Sequence, residues 1–117
     1  MKMSTLGNKT QNILISSRLE VAENFFARGL GLMGRRNFSM DQGLWIHRCK
    51  SIHTCFMKFA IDCVFVDANL KVKSLKKEIK PWRLVLPIWG ADSVFELPSG
   101  TITRLKIQEG DELYVGH

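Results

Sequence analysis

The stretch of sequence from residue 52 to residue 67 combines two apolar, strand-like segments with one carboxylate, Asp62, set inside the second. In an extended chain the side chains of residues 61–66 alternate between two faces, and both faces are apolar apart from Asp62. An unpaired carboxylate in such a strand is costly, because it must shed its hydration. Asp62 therefore needs a hydrogen-bond partner, or a position at a rim that water or a ligand reaches.

These requirements leave two interpretations of Asp62. In the structural one, the carboxylate accepts hydrogen bonds from backbone N–H groups or from an arginine, Arg28 or Arg35, and so fixes the sheet against a helix. In the functional one, it faces a cleft and serves proton transfer or ligand binding. We favour the structural interpretation, because a charge buried without a partner is strongly destabilising.

Length and composition bound the class of protein. The chain has 117 residues, enough for one domain with its own core. Its composition, 45% hydrophobic and 24% charged, is typical of a globular domain. Its three cysteines include no CxxC pair and do not make a disulfide framework. The N-terminus lacks the apolar segment of a signal peptide, and no apolar run is as long as a membrane span, so we expect a cytoplasmic, reduced protein.

The formal net charge of +6 raises the question of a nucleic-acid partner. Basic residues cluster between Lys71 and Arg83, where Lys71 and Lys73 alternate with Val72 as on a half-exposed strand. Lysines on such a strand are usually solvated and discourage edge-to-edge aggregation. Nucleic-acid recognition also needs aromatic residues interleaved with the basic ones, and here Trp82 alone comes close. We therefore do not expect nucleic acid as a partner.

Hydrophobic spacing predicts a mainly β fold. The polar residues 1–12 predict a flexible N-terminal segment, and residues 13–117 a single globular domain. The spacing of apolar residues in Ala22–Met33 predicts an amphipathic helix. The expected architecture is α+β, a compact β-sandwich or barrel-like sheet of short strands with one helix packed on it. The predicted strands are 13–15, 19–21, 43–46, two within 52–67, 70–75, 94–97 and 112–115.

An HxCx₃HxC pattern is a candidate metal site. On strands, residues two apart share a face, so each histidine could lie beside its cysteine. Zinc is more usually held by tight CxxC turns, however, because the side chains of an extended chain diverge. Buried cysteines otherwise behave as small hydrophobic residues. We therefore expect no metal or other cofactor, and keep as a disfavoured alternative the set His47, Cys49, His53 and Cys55.

An ordered series of short motifs runs from Leu19 to Val115. It comprises Arg28, Gly31–Arg35, Gly43–Ile46, Phe56–Lys58, Ile61–Asp67, Phe95–Gly100 and Gly110–Asp111. In order and spacing these motifs resemble the bacterial and archaeal domain-of-unknown-function family 192. The chain departs from the family at Phe56, where the family has tryptophan, and at residues 58–60, where it has Asn-Thr. The resemblance implies a compact, mainly β domain with a helix over the sheet, and no established activity.

The family pattern also suggests where a site would lie. Arg28 or Arg35, facing Asp62 and Glu96, would make one buried polar cluster. The full set of candidates for a binding or structural cluster is Arg28, Met33, Arg35, Met57, Asp62, Glu96 and Asp111.

Three functions are compatible with this cluster. The leading hypothesis is a non-catalytic binding or accessory module that grips a small polar ligand or a protein partner. The second is a small enzyme that uses Asp62 as acid or base, with Arg28 or Arg35 holding an anionic substrate. The third is a metal-binding domain built on the histidines and cysteines of the HxCx₃HxC pattern.

Overall fold

The computed structural model describes residues 2–22 and 32–117 and confirms a mainly β fold in one domain. In this part of the chain no helix has the length and apolar character needed to cross a bilayer. The helix that packs on the sheet is Thr101–Leu105, which we call α1. The helix predicted over Ala22–Met33 falls mostly on residues 23–31, outside the described residues. The elements are β1 (Lys2–Asn8), β2 (Ile13–Ala22), β3 (Gln42–Ile46), β4 (Ile52–His53), β5 (Ile61–Val66), β6 (Val72–Ile79), β7 (Leu84–Val85), β8 (Ser93–Pro98), α1 (Thr101–Leu105) and β9 (Leu113–Gly116).

Seven strands form one sheet in the order β6-β5-β8-β3-β2-β1-β9, and β4 and β7 form a separate pair. Within the large sheet β2 and β3 are parallel, and the other neighbours are antiparallel. The two ends of the sheet meet, because Val72 N–H donates to Asp111 O and Leu113 N–H donates to Leu70 O, both at 2.9 Å. The sheet therefore curls back on itself, which is the barrel-like form of the expected architecture.

The N-terminal segment differs from the flexible one expected over residues 1–12. Lys2–Asn8 forms β1, which lies between β2 and β9. The side chains of Leu6 and Asn8 are fully buried, and a Cβ on Gly7 would overlap the ring of Tyr114. The polar composition is misleading here because this strand is held by backbone pairing on both sides rather than by many apolar side chains.

The core has two clusters, one on each face of the sheet. Residues 61, 63 and 65 of β5 enter the first cluster, which also contains Ile52 of β4. Residues 64 and 66 enter the second, together with Ile102 of α1. The alternation predicted for β5 is confirmed, and both of its faces are buried.

Candidate functional site

Asp62 lies on the face of β5 that packs beneath α1, and its side chain is fully buried. Oδ2 accepts a hydrogen bond from Ile102 N–H in the first turn of α1, and Oδ1 accepts one from Glu78 N–H, both at 2.8 Å. Glu78 has a φ of 50° and lies where the β5–β6 register shifts, opposite Asp62. Such a bulge leaves a backbone donor outside the ladder. Asp62 satisfies that donor and ties α1 to the sheet.

Glu96 lies on the opposite face, in the centre of the sheet. Register pairs Glu20 with Leu44, Leu44 with Glu96, and Glu96 with Cys63 across β2, β3, β8 and β5. Side chains directly opposite each other in a ladder point to the same face. The four residues therefore form one row, which we call the carboxyl row, and Leu44 and Cys63 of this row belong to the first core cluster.

Within the carboxyl row Glu96 is buried and incompletely hydrogen-bonded. Its side chain is 2% exposed, and among the described residues its Oε1 has no hydrogen-bond partner. Burial raises the pKa of Glu96 to about 8, although the charge of Arg35 acts in the opposite direction. Burial and the carboxyl groups of Glu96 and Asp62 also raise the pKa of the Cys63 thiol. At neutral pH the row therefore holds a neutral acid beside an un-ionised thiol.

Arg35 pairs with Glu20, at the other end of the carboxyl row. The two guanidinium nitrogens Nη1 and Nη2 donate to Oε1 and Oε2 of Glu20 at 3.0 and 2.7 Å. Both side chains are partly shielded from solvent. A bidentate pair of this kind fixes both groups strongly. The guanidinium is thus committed to Glu20, although it is near enough to Glu96 to influence its ionisation.

Asp111 lies at a third location, where the two edges of the sheet meet. Its Oδ2 accepts hydrogen bonds from Asn8 Nδ2 at 2.8 Å, Gln11 Nε2 at 2.7 Å and Gln108 N at 3.0 Å. Burial opposes ionisation, but these hydrogen bonds outweigh it and lower the pKa of Asp111. The carboxylate fixes the N-terminal strand to the turn that precedes β9.

The single polar cluster expected from the sequence is therefore divided among three places. Asp62, Glu96 and Asp111 each have their own surroundings, and Arg35 forms its ion pair with Glu20. Arg28 lies outside the described residues. Among the remaining candidates Met57 is buried in the first core cluster and Met33 is half-buried.

The metal alternative lacks the geometry it needs. Within residues 2–22 and 32–117, no three side chains of His, Cys, Asp or Glu are grouped so as to hold a metal ion. The Cys49 thiol donates to Ser51 O at 2.8 Å, and His53 Nδ1 accepts from the backbone N–H of Cys55 at 3.2 Å. The set His47, Cys49, His53 and Cys55 is not brought together as a ligand sphere.

A cleft of about 310 Å³ opens beside the carboxyl row. Val94, Glu96 and Pro98 are alternate residues of β8 and share a face, so Pro98 lies about 7 Å along the strand from Glu96. The rings of Phe38 and Phe59 stack on the far side with centroids 5.7 Å apart. The lining combines apolar residues with the polar residues Arg36, Asn37 and Ser99; its larger apolar members are Phe38, Met40, Phe59 and Pro98.

Sequence reasoning missed Glu20 and this cleft. Glu20 stands between Leu19 and Val21, which is the pattern of any solvent-facing residue on a strand, so no local signal marks it as the partner of Arg35. Phe38 and Phe59 are 21 positions apart in irregular segments. Their stacking depends on tertiary packing, which hydrophobic periodicity does not describe.

The fold and the site define a small, curled β domain with a buried carboxyl group of raised pKa inside its sheet. The chain belongs to the family DUF192, described as "Uncharacterized ACR, COG1430", which it matches over residues 6–115. A UPF0127 protein from Thermococcus sibiricus is 35% identical over 112 residues, which are 91% of this chain and 71% of that protein. A UPF0127 protein from Pyrococcus furiosus is 35% identical over 111 residues, 91% of this chain and 93% of that protein.

Two crystal structures share the fold. One, from Novosphingobium aromaticivorans and of unknown function, has a TM-score of 0.82 and 22% identity, covering 96% of this chain and 83% of that chain. The other, from Sinorhizobium meliloti and described only provisionally as a transcription regulator, has a TM-score of 0.81 and 21% identity, covering 96% and 91%. At these identities the likeness concerns the fold alone. The family resemblance read from the sequence is confirmed.

Proposed function

We propose that this protein is a non-catalytic binding module, and that its ligand occupies the cleft beside the carboxyl row. The observation that carries the proposal is the position of Glu96. This buried acid, whose Oε1 has no hydrogen-bond partner among the described residues, lies about 7 Å along β8 from Pro98, which lines the open cleft. Leaving a buried polar group unpaired costs about 1–3 kcal/mol. A domain with only structural requirements would be more stable with an apolar side chain at this position. A ligand that supplies the missing partner explains why the cost is tolerated.

The lining of the cleft defines the chemistry of that ligand. The stacked rings of Phe38 and Phe59, with Met40 and Pro98, suit a flat apolar body. Arg36 is exposed at the rim and suits an anionic group. Glu96, about 7 Å along β8 from Pro98, is the proposed acceptor for a hydroxyl or amino group on the opposite end of the ligand. The ligand class is therefore a small aromatic or cyclic acid with a polar group at its far end.

The enzyme alternative is not favoured by the surroundings of Asp62. Both of its carboxylate oxygens accept backbone N–H groups, and the side chain has no exposed surface. A general acid or base must come within hydrogen-bonding distance of the substrate. Asp62 instead has the contacts of a residue that holds α1 on the sheet.

An amide NMR titration with para-hydroxyphenylacetate tests the proposal. We expect the amide signals of Phe38, Phe59 and Ser99 to shift, and the affinity to fall for phenylacetate, which lacks the hydroxyl group. Arg36→Gln should weaken binding, whereas Arg104→Gln, at an exposed arginine of α1, should not. Shifts that are absent from the cleft, or that are equal in the two arginine variants, would refute the proposal.

A further inference from the structure

Exposed apolar side chains are concentrated on one region of the surface. The described chain exposes nine large hydrophobic side chains, and four of them lie on or beside the strands β1, β2, β3 and β9: Met3, Leu14, Met40 and Tyr114. The other five lie on β7 and the segments around it, with exposures between 60% and 97%. We call these five the β7 patch: Phe56, Trp82, Leu84, Leu86 and Trp89.

The backbone holds the β7 patch in a defined shape. Thr54 is fully buried beneath it; its carbonyl accepts Trp82 N–H at 3.1 Å, and its hydroxyl accepts Arg83 N–H at 2.8 Å and donates to Lys80 O at 2.6 Å. The rings of Phe56 and Trp82 are in contact, with centroids 4.8 Å apart. Both residues have a positive φ, 63° and 64°, which is unfavourable for bulky side chains. The fold thus accepts backbone strain and still leaves these rings in solvent.

Positive charge lies beside the β7 patch. Residues 71–89 contain six basic residues against one acidic residue, Glu78, which accounts for five of the six net positive charges of the chain. Lys76 lines a groove of about 300 Å³ together with Leu84 and Leu86. Lys73, whose Nζ is 3.9 Å from Oδ2 of Asp67, lies beside the turn that carries Trp89, since its Cε is 3.8 Å from the position a Cβ on Gly90 would take. The apolar and the basic side chains therefore share one surface.

We propose that the β7 patch is a docking surface for an anionic lipid bilayer. Tryptophan and leucine side chains enter the interfacial region of a bilayer, while lysine and arginine are attracted to its anionic headgroups. Trp89, at 97% exposure, has almost no contact with its own protein and is suited to insertion. The charge of the patch fits an anionic occupant.

Two other occupants fit less well. A second copy of the chain would place one strongly basic surface against another, and like charges disfavour that contact. Single-stranded nucleic acid binds by stacking its bases on aromatic faces. Leu84 and Leu86 offer no such face, and the rings of Phe56 and Trp82 already contact each other, so within the β7 patch only Trp89 presents a free ring for stacking.

Co-sedimentation with vesicles tests the proposal. We expect the full chain to bind vesicles of phosphatidylglycerol and phosphatidylcholine in equal parts, to bind pure phosphatidylcholine weakly, and to be released by salt. Lys76→Gln combined with Lys80→Gln should weaken binding about 25-fold, because each basic residue near an anionic surface contributes about fivefold in affinity. Trp89→Ala should weaken it about tenfold or more, because a large apolar side chain returns to water.

Matched variants elsewhere on the surface provide the controls. Leu14→Ser, at a leucine exposed outside the β7 patch, should retain binding, whereas Leu84→Ser should lose most of it. Circular dichroism and melting temperature show whether each variant is folded. The proposal is overturned if the vesicles do not bind, if Leu14→Ser and Leu84→Ser behave alike, or if the patch substitutions abolish only self-association or binding to single-stranded DNA.

Discussion

Replacing Glu96 by glutamine is expected to change how the stability of this protein depends on pH. The pKa of Glu96 is raised from an ordinary value of 4.5 to about 8 by burial in the centre of the sheet. Between these values the unfolded chain releases the proton, whereas the folded protein keeps it. The contribution of Glu96 to stability is therefore complete below pH 4.5 and is lost as the pH rises to about 8.

The size of this effect follows from proton linkage. The free energy of unfolding falls by about 1.4 kcal/mol for each pH unit over which one extra proton stays bound to the folded state. The full loss, from well below pH 4.5 to well above about pH 8, is about 5 kcal/mol, and between about pH 5 and about pH 8 it is about 4 kcal/mol. Glutamine has nearly the shape of the protonated acid and does not titrate. Glu96→Gln should therefore have about wild-type stability at the lower pH and exceed it by about 4 kcal/mol at the higher pH.

Urea denaturation of the two proteins across this pH range gives the comparison. The difference between their free energies of unfolding isolates Glu96, because all other titrating groups are common to both proteins. Glu109→Gln removes one carboxyl group from an exposed turn and is the matched control. The reasoning is refuted if the curves of wild type and Glu96→Gln run parallel, or if Glu96→Gln is the less stable protein at the higher pH.

Two further substitutions examine the other buried carboxylates. Asp62→Asn leaves one of two buried backbone N–H donors without an acceptor, so we expect a loss of about 2–3 kcal/mol, measured as a lower melting temperature. An unchanged melting temperature would contradict the structural role of Asp62. The pKa of Asp111 is lowered in the folded protein, so the contribution of Asp111 to the free energy of unfolding is present at neutral pH. This contribution is lost as the pH falls through the pKa of the folded state. Asp111→Asn should therefore be less stable at neutral pH and show a weaker acid dependence of unfolding; equal acid dependence in both proteins would exclude this role.

The parts of the fold that depend on local pattern could be predicted from the sequence. The alternation along residues 61–66 correctly indicates a strand buried on both faces, because side-chain direction in a strand is set by the backbone alone. The expected fold class, a barrel-like sheet with one helix packed on it, is likewise confirmed, although α1 is not the helix that the sequence predicts. The polar residues Lys2–Asn8 could not be recognised as a strand, because their partners β2 and β9 lie in different parts of the chain and supply the stabilising hydrogen bonds.

The candidate site was less accessible to sequence reasoning, because it depends on the register between strands far apart in the chain. Asp62 and Glu96 both look like isolated carboxylates in apolar strands. Register places Asp62 opposite a bulge and beside α1, where two backbone N–H groups donate to it. It places Glu96 between Leu44 and Cys63, and neither of these side chains can donate a strong hydrogen bond. Two similar sequence signals therefore lead to opposite outcomes: a carboxylate with both oxygens hydrogen-bonded, and an acid whose Oε1 has no partner among the described residues. The two carboxyl groups differ because strand pairing gives them different neighbours. Measuring how the stability of Glu96→Gln depends on pH therefore tests a part of the site that the local sequence does not determine.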